Sequence, residues 1–157
     1  MEFSPIGYIR TPYTELTDMP IQPRGANKVT GSIEILEKYA EGLQDLDGFS
    51  HAYLIYHLHK ASRSALSVIP FMDTVARGIF ATRSPLRPNH IGLSIVEITG
   101  VKNNIVELRG IDVLDRTPLL DLKPYIESFD YVEKSRSGWM QGSIEEVTQK
   151  RSDNRFL

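Results

Sequence analysis

Hydrophobic and polar residues alternate with a period of two along most of this chain, the spacing of strands that bury one face and wet the other. In Val29–Ile35, residues Val29, Gly31, Ile33 and Ile35 fall on one side while Thr30, Ser32 and Glu34 fall on the other. The same alternation predicts strands at Phe3–Arg10, Ala52–Leu58, Val75–Ala81, Ile91–Val101, Ile105–Val113 and Leu119–Leu122, divided by turn signals such as Lys102-Asn103-Asn104. Helical spacing is rare. Leu36, Tyr39, Ala40, Leu43 and Leu46 recur at intervals that predict a helix near Leu36–Leu46, and the Ser-x-x-Glu spacing of Ser143 and Glu146 predicts a second helix after Ser143. Short strands in this number read as a mainly β domain, either barrel or sandwich.

At 157 residues the chain suits one domain, here 1–157, with a packed core from about residue 3 to 130 and a C-terminal helix and polar tail over about 131–157. Its 41% hydrophobic content is ordinary, and a formal net charge of -2 excludes a general cationic coat, so any nucleic-acid site must be local. The absence of cysteine removes disulfides, zinc-thiolate sites and cysteine nucleophiles, and fits a reducing compartment such as the cytoplasm. No stretch has the apolar length of a membrane span, and the first residues lack the apolar centre of a signal peptide.

Three segments carry candidate chemistry. In Ala81–Gly92, Pro85 and Pro88 stiffen a connection that presents Arg83, Arg87, Asn89 and His90, and guanidinium forks suit carboxylates, phosphates or stacking on a base. The plainer alternative is that those arginines pair with acids such as Asp112 or Asp115 and brace the sheet, although bracing arginines rarely need two prolines and an asparagine around them. In Asp112–Tyr125, Asp115-Arg116-Thr117-Pro118 reads as a turn, and Asp121 among leucines needs a partner, from Lys123 or a loop arginine. In the histidine strand, His51, Tyr53, His57 and His59 share a face as a polar lining; His57 and His59 could also chelate a metal, but no adjacent third ligand is evident. No two glycines are separated by one residue, which excludes the Gly-x-Gly turn of a Rossmann cradle; Walker and Gly-x-Ser-x-Gly signals are absent as well.

Taken in order, IGYIRTPY, QPRG, HAYLIYHLHK, GIFATRSPLRPNHIGLSIVEI and LDRTPLLDLKPYIESFD resemble the TrmO family of tRNA methyltransferases, also called TsaA-like or YaeB, over roughly Ile6 to Asp130. The resemblance implies a small antiparallel β-barrel with one or two short helices, a homodimer, and S-adenosylmethionine as methyl donor for the exocyclic amine of threonylcarbamoyladenosine beside the tRNA anticodon. It also implies donor contacts at Pro23, Arg24, Gly25, His59, Lys60, Arg83, Leu93, Leu114, Asp115 and Arg116. This chain departs from the family pattern at Gly25, His90 and Arg116, where glutamine, proline and glycine are usual. Asp121, Asn89 and Tyr125 are then candidates to orient the amine and accept its proton. Arg87 is the candidate partner for the threonylcarbamoyl carboxylate, and Lys134, Arg136, Lys150 and Arg151 for phosphates of the anticodon arm. Two other expectations stay in view: a metal-dependent hydrolase or oxygenase using His57 and His59, and a non-catalytic ligand-binding barrel.

Overall fold

The structure is a computed structural model, and it describes residues 2–17, 19, 26, 28–140, 149 and 151–153. Among the described residues eight strands run in chain order: β1 (Gly7–Arg10), β2 (Thr30–Ile35), β3 (His51–His57), β4 (Ser67–Val68), β5 (Arg77–Gly78), β6 (Ile91–Lys102), β7 (Ile105–Arg109) and β8 (Thr117–Pro124). Six of them close a barrel in the order β1-β2-β7-β6-β3-β8, and every neighbouring pair is antiparallel. Closure leaves none of these six strands as an edge and selects the barrel over the sandwich. The period-two pattern supplies the filling: Ile9, Ile33, Leu54, Val96, Val106, Leu108 and Leu119 point inward at 0–1% exposure. Each such side chain contributes about 1.5–3 kcal/mol through burial.

Element boundaries follow the availability of pairing partners. β1 begins only at Gly7, where it is hydrogen-bonded on both sides, and Phe3 stands 67% exposed ahead of it. The expected strand Val75–Ala81 contracts to β5, which pairs only with the short β4, and Ile79–Ala81 turns into a 3-10 helix. The expected strand Ile105–Val113 stops at Arg109 because Gly110 adopts φ 80 and swings the chain away, while Ile111 and Val113 stay in the core as loop residues. β8 runs longer than its apolar centre suggests, since both of its flanks are paired.

The expected helix Leu36–Leu46 is instead two 3-10 segments, Glu37–Leu43 and Leu46–Gly48, broken where Asp45 enters the left-handed region at φ 63. Only Leu43 and Leu46 of its apolar set are buried, and they join the barrel core. A single α-helical turn, α1 (Glu127–Asp130), follows β8 without any signal in the apolar spacing. The helix expected after Ser143 lies outside the described residues. Among the described residues no helix is long and apolar enough to cross a membrane.

Candidate functional site

A cavity of about 1230 Å³ opens beside the barrel. Segments far apart in sequence wall it: the turn after β3 brings His59 and Lys60, the proline-braced loop brings Arg83, and the β7–β8 connection brings Asp112 and Leu114. Phe71, Phe80 and Trp139 add aromatic surface, and Tyr125 stands at the end of β8.

The loop from Ile79 to His90 is held from within. Leu86 is buried at 1% against Ile79 and Val68, forming a small second core apart from the barrel. Arg87 Nη1 donates to the carbonyls of Thr82 at 2.7 Å and Ile79 at 3.4 Å. The Leu86 N–H donates to Ser84 Oγ, and the Ala65 N–H to the Leu86 carbonyl. Prolines restrict the backbone and Arg87 closes the ring of contacts, so Arg83 is carried on a stiff support. Trp139 ties the C-terminal segment to the same loop by donating its indole N–H to the Ala81 carbonyl at 2.8 Å; the Arg77 guanidinium lies 5.6 Å from its ring centre.

The Asp112 loop is fastened to the N-terminal segment. Thr11 Oγ1 donates to the Val113 carbonyl, the Thr11 N–H to Asp115 Oδ1, and Thr117 Oγ1 to the Leu114 carbonyl. Within the barrel wall, Ser94 Oγ donates to Asp112 Oδ1 at 2.8 Å, with the Tyr56 hydroxyl 3.0 Å from the same Ser94 oxygen. Burial pushes the Asp112 carboxyl up to about 6, against the smaller opposing pull of the Ser94 bond, its own main-chain N–H and Arg83. Burial also raises the Tyr56 phenol. His59 is lowered by burial and by the neighbouring Lys60 and His57, all of which favour the neutral ring, and its Nδ1 lies 3.4 Å from Thr117 Oγ1.

The residues singled out from the sequence divide by position. His59, Lys60, Arg83, Leu114 and Tyr125 line the cavity together. Asp115 lies next to it, ion-paired at 3.7 Å with Arg116, which is 79% exposed at φ 60. Glycine suits that left-handed backbone better than arginine, in keeping with the family's usual residue there. Arg87 faces its own loop, and Asn89 is exposed on the turn before β6. Leu93 stands 52% exposed on the outer face of β6. Asp121 pairs with Lys123 at 2.8 Å and lines a second hollow of about 780 Å³ beside the 3-10 segments. Lys134, Arg136 and Arg151 are exposed, whereas Pro23, Arg24, Gly25 and Lys150 lie outside the described residues. His57 and His90 rings are 6.5 Å apart, and among the described residues no three histidines or carboxylates cluster as metal ligands.

Sequence reasoning passed over Ser94, Tyr56 and Trp139 and treated Asp112 only as an arginine's partner. A signal existed for the first two: the alternation of β3 and β6 places a hydroxyl on each inward face, and a polar atom inside a barrel needs a partner. Among the described residues, Lys60 and Arg83, the aromatic walls and the Asp112 carboxyl poised near neutrality, with Asp153 also at the lining, suit a ligand that is part heteroaromatic and part carboxylate.

Comparison with known proteins agrees with that chemistry. Residues 8–131 match the family described as the tRNA-methyltransferase O N-terminal domain. A Pyrococcus abyssi protein named as a probable S-adenosyl-L-methionine-binding protein is 44% identical over 99% of this chain and 84% of its own length. The tRNA (adenine(37)-N6)-methyltransferase of Escherichia coli is 32% identical over 90% of this chain and 65% of its own. The crystal structure of TrmO from Pseudomonas aeruginosa superposes with a TM-score of 0.75 at 38% identity, covering 88% of this chain and 62% of that one. The chain thus spans just under two thirds of each of the two bacterial proteins.

Proposed function

The chain belongs to the TrmO family, and from that premise we propose that it is an S-adenosylmethionine-dependent methyltransferase acting on the exocyclic amine of an adenosine in tRNA, the threonylcarbamoylated base beside the anticodon. The observation that carries this reading is the convergence of His59, Lys60, Arg83 and Leu114 on one cavity with aromatic walls. These residues fit the donor. Phe71, Phe80 and Leu114 offer apolar surface to an adenosyl group, and Arg83 and Lys60 offer charge to its carboxylate. The donor supplies an electrophilic methyl group on a sulfonium sulfur.

Alignment is what the chain contributes most. An amine conjugated with a purine ring is a weak nucleophile, so holding it in line with the methyl carbon accounts for several kcal/mol of barrier, on the order of the 7–11 kcal/mol available from positioning. The stiff Ile79–His90 loop serves this by holding Arg83 in place with little side-chain freedom left to lose. The aromatic walls keep water away from the reacting groups.

Residues 1–157 act as a single unit in this proposal, because the cavity is walled both by barrel strands and by Trp139 near the C-terminus. Contacts from Pro23, Arg24 and Gly25 would complete the donor site. The protein works as a homodimer, joined through the apolar outer strip of β6, where Ile91, Leu93 and Ile95 are 39%, 52% and 41% exposed. A tRNA substrate assigns it to the cytoplasm. The test is mass spectrometry of tRNA nucleosides from cells with and without the gene, joined to transfer of labelled methyl from donor to tRNA by purified protein. Loss of a methylated adenosine in the deletion and transfer in vitro are expected, and Arg83→Ala is expected to raise the donor KM at least tenfold. Unchanged nucleosides together with no transfer would overturn the proposal.

A further inference from the structure

The barrel wall contains a short hydrogen-bonded chain that ends on the cavity. Ser94 is 3% exposed on the inner face of β6, and its single hydroxyl proton is given to Asp112. Tyr56 must therefore donate to Ser94, so that both protons run toward the carboxylate. Room for this arrangement comes from Gly92, which pairs with Tyr56 across the sheet: a Cβ there would lie 2.1 Å from the Tyr56 ring. Besides Ser94 and its own main-chain N–H, Asp112 accepts from no other side chain among the described residues, and it lines the cavity. Among the described residues, the charged and titratable groups that act on it are Arg83 and the phenols of Tyr56 and Tyr13.

We propose that Asp112, oriented by Ser94 and Tyr56, accepts the hydrogen bond and then the proton of the amine that becomes methylated. This rests on the methyltransferase reading. As the amine nitrogen forms its bond to the methyl carbon, the carbon–sulfur bond breaks and its electron pair stays on sulfur, leaving a neutral thioether. The N–H proton passes to the Asp112 carboxylate, which becomes a neutral carboxylic acid and later releases the proton to solvent. A carboxyl whose proton affinity lies near the working pH exchanges a proton most effectively, and burial puts Asp112 at about 6. Pairing with a fixed cation would require the opposite setting, a carboxylate ionised at every working pH.

The test uses the full chain with labelled donor and tRNA carrying the modified base. Wild-type kcat is expected to fall tenfold per pH unit below about pH 6. Asp112→Asn should lower kcat roughly a hundredfold or more and abolish that limb, with calorimetric donor affinity kept within about twofold. Ser94→Ala, which removes a bond favouring the ionised carboxyl, should move the limb to higher pH. Carbon-13 NMR should show the Asp112 carboxyl titrating near 6 independently of turnover. An Asp112→Asn protein with undiminished kcat, or one that loses donor affinity while keeping kcat, overturns the inference and leaves the methyltransferase reading standing. A wild-type protein that transfers no methyl to tRNA overturns both.

Discussion

At Asp112 the needs of folding and of chemistry pull apart. Burial holds its proton to about pH 6, above the 3.8 of an unburied aspartate. Between those values the folded chain keeps a proton that the unfolded chain has released, so the contribution of Asp112 to stability is greatest below pH 3.8 and is lost as pH rises through about 6. Asp112→Asn removes this cost. Its melting temperature should exceed wild type by about 5 °C at neutral to mildly alkaline pH, on the order of 2 kcal/mol, and the two proteins should converge toward pH 4 in thermal melts. A variant that gains stability while losing turnover would separate the two demands. Nothing at Asp112 in the sequence distinguishes it from Asp115 three residues later. What differs is the wall behind each: Asp115 binds the Thr11 N–H beside an exposed arginine, and Asp112 meets Ser94 inside the barrel wall.

The Ile79–His90 loop shows the same division at the scale of an element. Its stiffness was legible, because Pro85 and Pro88 restrict φ whatever surrounds them. The direction of Arg87 was not, since the carbonyls it binds belong to Thr82 and Ile79, and only the folded turn brings these within reach. Arg87→Ala should therefore loosen the loop by roughly 1–3 kcal/mol. Amide exchange over residues 79–90 should quicken while β1, β2 and β7 keep their protection. Unchanged exchange would show that the prolines alone hold the loop. If modified-base preference also disappeared, Arg87 would have a ligand role beyond this brace. The 3-10 segments after β2 teach a related lesson: apolar spacing indicated which residues approach the core, but Asp45 in the left-handed region decided that no α-helix could continue through them.

Over the whole molecule, the six closed barrel strands have no free edge with which to associate, and β4 and β5 are only two residues each, so we expect association through a face. The outer strip of β6 is an apolar face on the barrel wall, and Leu93 is its most exposed member. Wild type is expected to sediment as a dimer and Leu93→Glu as a monomer with an unchanged far-ultraviolet circular dichroism spectrum. A dimeric variant would move the contact elsewhere on the surface. Because the family resemblance also implies a donor contact at Leu93, a monomer with weakened donor affinity would link the site to assembly.

By itself the sequence determined the alternation that fills the barrel, the rigidity of the proline loop, the absence of a glycine cradle and the family, because each depends on residue type and short-range spacing. Tertiary structure decided which loops share a cavity, where strands end for want of a partner, and which of several similar aspartates meets Ser94 beside the cavity. Those outcomes depend on contacts between residues such as Ser94 and Asp112, or Thr11 and Val113, whose separations along the chain carry no periodic mark. Burial and its electrostatic consequences exist only once the barrel has closed.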